Sequence, residues 1–186
     1  MEVKGSLIKN ILDFVNLKHS NKKSEWIAAM PEKSRSIYEN PILVSNWYPI
    51  KEALLDPIRA TGKLFFDGDE KKAAFELGKH SAFRGLTGIY KIFIRVASPS
   101  YVLSRSSTIF QTYYNNINTS YEELSNNSAK IILTSFKENE SLVFDRIIGW
   151  IYQTLMILKK TPRDIYYKLK PTNNGFVICD LFVNWE

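Results

Sequence analysis

Asn115 to Lys137 reads NNINTSYEELSNNSAKIILTSFK, and the order of elements turns on this stretch. Ile117, Thr119 and Tyr121 alternate with polar neighbours, and Ser125-Asn126-Asn127-Ser128 carries turn chemistry. Lys130 to Lys137 is rich in β-branched and aromatic side chains. Two extended segments joined by a short polar turn predict a hairpin with strands over about 115–124 and 129–137. Ser141 to Lys160 then returns to helical spacing, with Val143, Ile147, Trp150, Ile151, Leu155 and Leu158 on one face. Beyond Thr161-Pro162, Ile165, Tyr167 and Leu169 alternate inward and Pro171 to Gly175 forms a turn, so a second strand pair is expected over about 163–170 and 175–185.

Upstream of Asn115 the pattern is helical. From Gly5 to Leu17, Leu7, Ile8, Ile11, Leu12 and Val15 fall on one side and Lys4, Lys9, Asn10 and Asp13 on the other. Pro31 starts a helical turn through Ile37-Tyr38, ended by Asn40-Pro41. Asn46-Trp47-Tyr48-Pro49 is read as the capped start of a helix that Pro57 kinks or splits. Asp67-Gly68-Asp69 is a turn and cap before the longest expected helix, Lys71 to Val96, and another is expected from Pro99 to Tyr114. Gly78, Gly85 and Gly88 lie inside the long helix, each destabilising it by up to about 1 kcal/mol relative to alanine. Close approach of another backbone or of a ligand is the physical reason to keep them. Strands joined by short turns favour an antiparallel sheet with helices against it. The expected fold is therefore α+β: one domain over 1–186, with a helical part over 1–114 and a four-stranded antiparallel sheet plus crossover helix over 115–186.

Length and composition agree with one globular core. The chain has 186 residues, 45% hydrophobic and 24% charged, enough to bury most of its apolar surface. A net charge of +6 raises the question of a polyanionic partner, but the basic residues come as pairs, Lys22-Lys23, Lys71-Lys72 and Lys159-Lys160, beside Glu25, Asp69, Glu70 and Asp164. A mixed solvated surface is expected, and nucleic acid is not an expected partner. The most apolar run, Ile147 to Leu158, is about 12 residues, short of the roughly 20 that cross a bilayer. Charges interrupt the first apolar stretch, so no secretory leader is read there. The single cysteine, Cys179, builds neither an intramolecular disulfide nor a zinc site of the usual spacing. A reducing, cytoplasmic setting is expected.

Catalytic motifs are missing from the pattern. There is no Walker loop, no Gly-rich dinucleotide fingerprint after a strand and no serine elbow. Glu122 and Glu123 are neighbours on a strand and point to opposite faces, so they do not form an acid/base pair. Cys179 alternates with Val177, Leu181 and Val183 as a small apolar filler. The two histidines, His19 and His80, have no carboxylate at a ligand-like spacing, so no metal site is expected. His80 has three readings: an axial heme ligand, a pocket hydrogen-bond donor, or a surface residue. Aromatic walls with glycine notches and a few polar groups also describe a small-molecule pocket. Its candidate residues are Phe75, Phe83 and Trp150 as walls and His80, Arg84 and Tyr90 as polar contacts.

Four pieces carry a resemblance that spans nearly the whole chain. They are Val3-Lys4-Gly5 opening the first helix through Phe14-Val15; Trp47-Tyr48-Pro49; Leu77-Gly78-Lys79 leading through Ala82 to Ser98-Pro99; and Gly149-Trp150 followed by Gly175, Cys179 and Trp185. In their order they resemble the superfamily uniting heme-nitric-oxide-binding (H-NOX) domains, 4-vinyl reductase-type ligand-binding domains and TRAPP vesicle-tethering subunits. The nearest likeness is to an uncharacterised bacterial branch with myxobacterial paralogues. The resemblance implies helices packed on a four-stranded sheet, and a ligand-binding or assembly role without catalysis. Tyr101-Val102-Leu103-Ser104-Arg105 departs from the H-NOX signature Tyr-x-Ser-x-Arg by one residue, and the family's proximal histidine ahead of it has no counterpart. The expectation is accordingly no cofactor, with heme disfavoured.

The expected function is a non-catalytic sensor or regulatory domain that holds a small apolar ligand between the long helix and the sheet. The alternative is a TRAPP-like dimeric adaptor whose interior is filled by its own side chains, with a protein partner or a second copy of itself. An open space beside the glycines of the long helix favours the first, and a neighbouring helix packed on them favours the second.

Overall fold

The amphipathic opening segment forms α1 (Gly5–Lys18), and the residues before it form a short strand, β1 (Glu2–Lys4). This is a computed structural model, and it describes residues 1–86 and 97–186. β1 pairs antiparallel with β2 (Trp47–Pro49), Val3 opposite Tyr48. The segment expected to cap a helix is thus largely strand. The Lys4 ammonium lies 4.3 Å over the Trp47 ring, and the Tyr48 hydroxyl accepts from the Leu43 amide at 3.0 Å. Aromatic residues held in this way favour the extended backbone over a first helical turn.

Two short helices, α2 (Lys23–Ala28) and α3 (Glu32–Glu39), lead to a π-helical turn (Lys51–Leu55) that runs into α4 (Asp56–Phe65). Pro57 follows the π-helical turn directly, and the Ala53 carbonyl four residues before it accepts from the Tyr38 hydroxyl at 2.8 Å in place of the missing N–H. Buried polar groups anchor this region. The Trp26 indole donates to Thr61 at 3.0 Å, Ser34 donates to Asp56 at 2.8 Å, and Lys51 reaches the same carboxylate at 2.8 Å.

The long helix, α5, is described as Glu70–Leu86; Gly88, Tyr90 and the rest of its expected course to Val96 lie outside the described residues. The helix expected from Pro99 to Tyr114 is two, α6 (Pro99–Ser104) and α7 (Ser106–Tyr113), divided where Arg105 takes φ −89° and ψ 5°. The predicted hairpin is β3 (Asn118–Ser125) and β4 (Ser128–Lys137), and the second pair is β5 (Pro162–Pro171) and β6 (Phe176–Trp185). The sheet order is β3-β4-β6-β5, antiparallel throughout. Because β4 pairs with β6, the connection between the hairpins must cross the sheet. α8 (Leu142–Ile157) makes that crossing, with Phe144 packed against Phe136 and Tyr167. The fold is α+β, as the sequence predicts.

One contact sets how the helical layer sits. A Cβ built on Gly78 of α5 would lie 2.0 Å from the Arg146 carbonyl oxygen of α8, and one built on Gly149 of α8 would lie 2.0 Å from the Phe75 carbonyl oxygen of α5. The two backbones therefore touch directly, and at these two positions glycine serves helix packing. Gly85 meets nothing within 4 Å among the described residues. In urea unfolding, Gly78→Ala and Gly149→Ala should each lose about 3 kcal/mol or more, the upper range for overpacking. Gly85→Ala should gain about 0.5–1 kcal/mol from helix propensity. Equal midpoints for all three variants would mean that the crossing is not limited by backbone contact.

Candidate functional site

α5 carries two different environments on neighbouring faces. Towards α1 it presents His80, which packs edge-on to Phe14 with ring centroids 5.5 Å apart. Phe83 and Arg84 follow on the same side, and Phe14, Leu17, Lys18, Lys79, His80 and Phe83 are among the residues lining a groove of about 380 Å³. Arg84 pairs with Asp13 at 3.6 Å and Lys79 with Glu76 at 2.9 Å. The His80 Nε2 is buried and has no hydrogen-bond partner among the described residues. Burial, reinforced by the Arg84 charge and opposed by Asp13, lowers the His80 pKa below its ordinary 6.5. The imidazole is therefore neutral at neutral pH, the form that acts as a metal ligand.

Towards α7 and α8 the same helix presents Ser81, which meets a second, enclosed space. Leu7, Asn10, Tyr114 and Trp150 line a cavity of about 20 Å³ with Ser81 and Arg146. Arg146 is only 4% exposed. It donates to the Ser81 hydroxyl at 2.6 Å and to the Tyr114 hydroxyl at 3.2 Å, and its Nε is buried without a partner among the described residues. Burial raises the Tyr114 pKa above its ordinary 10 although Arg146 pulls it down, so the phenol is neutral. Tyr114 is itself fixed by an isolated bridge to Val3, and the adjoining Asn115 side chain accepts from the Glu2 amide at 2.7 Å.

The six residues expected to form one pocket are distributed over several places. His80, Phe83 and Arg84 share the groove, and Trp150 lines the enclosed cavity, where Phe110 meets it edge-on at 6.1 Å. Phe75 packs against Tyr152 with centroids 5.4 Å apart, and Tyr90 lies outside the described residues. Ser81, Tyr114 and Arg146 were not among the sequence candidates. Arg146 could have been found from its spacing, since Val143, Arg146 and Trp150 fall at i, i+3 and i+7 on the inward face of an otherwise apolar helix.

Cys179 is buried opposite Leu133 and Leu169, and burial pushes its thiol up to about 12, far from the thiolate a nucleophile needs. Among the described residues no three His, Cys, Asp or Glu side chains come together as a metal cluster, and no helix is long and apolar enough to cross a membrane.

No family model matches the chain, and no curated protein matches it in sequence. Solved structures do match in fold. The Fe(II) unliganded H-NOX protein from K. algicida superposes with TM-score 0.72 at 15% identity, covering 98% of this chain and 96% of that one. A structure reported for the function of heme distortion in the H-NOX family gives 0.73 at 9% identity over 98% and 95% of the two chains. An oxygen complex of an H-NOX domain related to soluble guanylate cyclases gives 0.67 at 10% identity over 98% and 92%. The chain has the H-NOX fold. These matches correct the expectation of no cofactor with heme disfavoured, since the structures that share the fold are described by Fe(II), an oxygen complex and heme distortion. The expectation rested on one local signature and its histidine, whereas the fold persists at 9–15% identity without them.

The two environments differ in how they suit a heme. The smaller cavity has room for a water molecule or a group of very few atoms, and no histidine or cysteine is among its described lining residues. The groove is lined by the ring of His80, whose Nε2 is buried and unpaired among the described residues, by aromatic side chains and by Lys18, while Lys79 and Arg84 beside it are already paired with Glu76 and Asp13. Its volume falls within the roughly 300–1,000 Å³ of small-molecule sites. Of the two spaces, the groove is the one with a histidine among its described lining residues.

His80 and His19 have lowered pKa values, so each binds a proton more readily in the unfolded chain than in the folded one. Stability should therefore fall as pH drops through 6.5 towards the folded-state values, and be fully present above 6.5. The charged groups whose fields reach His80 are Arg84, Asp13, Lys18 and Arg146. His80→Gln should flatten this slope in urea titrations between about pH 7 and pH 5; an unchanged slope would mean that His80 is as free to protonate as in the unfolded chain.

Proposed function

We propose that the domain is a sensor or regulatory module on the H-NOX scaffold that takes a small ligand beside α5, heme being the first ligand to test. The single observation that carries this reading is His80: a neutral imidazole whose Nε2 is buried and unpaired, at the wall of a groove in a chain whose solved fold neighbours are H-NOX proteins. His80 would hold the iron, Phe14 and Phe83 would supply apolar contact, and Lys18 would meet a carboxylate. A bound heme supplies an iron coordination position for a small ligand. The protein's part is to keep His80 unprotonated, which the burial of the ring and the Arg84 charge already do.

The adaptor alternative gains support at Gly78, where a neighbouring helix rather than open space meets the missing side chain. That observation concerns the α5–α8 face and leaves the His80 face of α5 unaffected. Titrating hemin into the purified protein should give a saturable Soret band at one equivalent, and His80→Ala should abolish or shift it. Absence of the band, or a band that His80→Ala leaves unchanged, would overturn the reading, and a dimer without bound mass in native mass spectrometry would favour the adaptor.

A further inference from the structure

Arg146 is a buried cation with no anion to balance it among the described residues. A guanidinium stays protonated in proteins, and removing it from water without a counter-charge is strongly unfavourable. Its two hydrogen-bond partners, Ser81 and Tyr114, are neutral hydroxyls, and it belongs to none of the ion pairs among the described residues. Asp145, next in sequence, is turned to the sheet, where the Tyr167 hydroxyl donates to it at 3.3 Å. The sequence from Thr87 to Val96, TGIYKIFIRV, contains no aspartate or glutamate, so that stretch has no carboxylate to offer. An Nε that is unpaired among the described residues and a small cavity lined by Arg146 complete the arrangement.

We propose that the cavity between α1, α5, α7 and α8 is a binding site for a compact monovalent anion, halide- to formate-sized, held by Arg146. Ser81 and Tyr114 position the guanidinium, and the apolar wall of Leu7 and Trp150 restricts the anion to a small one. About 20 Å³ admits a single ion or a group of very few atoms, which excludes a phosphate ester or a fatty acid as the guest in this cavity. The site is separate from the groove at His80 and needs no heme.

The test is thermal melting of heme-free protein while sodium gluconate, whose anion is too large for the cavity, is replaced stepwise by sodium bromide or sodium formate at constant ionic strength. Both small anions should raise the melting temperature saturably, by about 4 °C when the site is full. Arg146→Met should lose this shift while melting no lower in gluconate than the wild type, because an apolar side chain of similar volume removes the buried charge. Ser81→Ala, which keeps the charge, should require a several-fold higher anion concentration for the same shift. A wild type indifferent to the anion, or an identical shift in Arg146→Met, would overturn the proposal; should Arg146→Met fail to fold, an unchanged dose dependence in Ser81→Ala would overturn it. A bromide shift without a Soret band would count against the heme reading alone, and a Soret band without a bromide shift against the anion site alone.

Discussion

The reciprocal contact of Gly78 and Gly149 across α5 and α8 is the constraint from which the rest of the helical layer follows. Each glycine faces a backbone carbonyl of the other helix at a separation that no side chain allows. Helices that touch at the backbone cannot slide without losing several contacts together, since packed interiors have few alternative arrangements. α8 also lies on the sheet through Phe144 and Tyr167, so the crossing transmits the position of the sheet to α5 and from there to α1.

That crossing is also the reason a charge is inside. The Arg146 carbonyl is pressed against Gly78, and Ser81 lies three residues further along the same face of α5. An arginine whose backbone is pinned between two helices has little freedom to snorkel its head group to water. Its guanidinium instead ends between Ser81 and Tyr114, and the β1 strand fixes Tyr114 through Val3. A small N-terminal strand, a helix crossing and a buried cation are thus one mechanical unit.

Much of the fold was legible because it rests on period. The alternation from Ile117 to Tyr121 and from Ile165 to Leu169 identified both strand pairs, and the spacing of Leu7, Ile8, Ile11 and Val15 identified α1. What the pattern could not show was pairing between distant segments. β1 and β2 are three residues each, too short for a periodic signal, and they exist because Val3 and Tyr48 meet across 45 positions of sequence. The site was less legible than the fold for a related reason. His80, Phe83 and Arg84 are local on one helix and were found together, while Ser81, Tyr114 and Arg146 come from three elements whose convergence is fixed only by the crossing. The cofactor expectation is corrected because the Tyr101–Arg105 signature and its histidine are one local motif, whereas the likeness to the H-NOX structures extends over 98% of the chain.

His80 and Ser81 are adjacent on α5, so the groove and the cavity sit on two sides of one turn of helix, and their charges act on each other. The Arg146 guanidinium also holds the His80 pKa down, after burial, Arg84 and Lys18 and with the smallest effect. A counter-charge at Arg146 would cancel part of that field, and His80 would then bind a proton or another cation more readily. Linkage makes the effect reciprocal: a positive centre bound at His80 would be stabilised by an anion at Arg146 and would in turn tighten the anion's hold. The coupling runs through space across one helix and needs no movement of the backbone, which the Gly78–Gly149 contact would resist. On this scaffold the rigid crossing that fixes Arg146 would also fix its distance from His80.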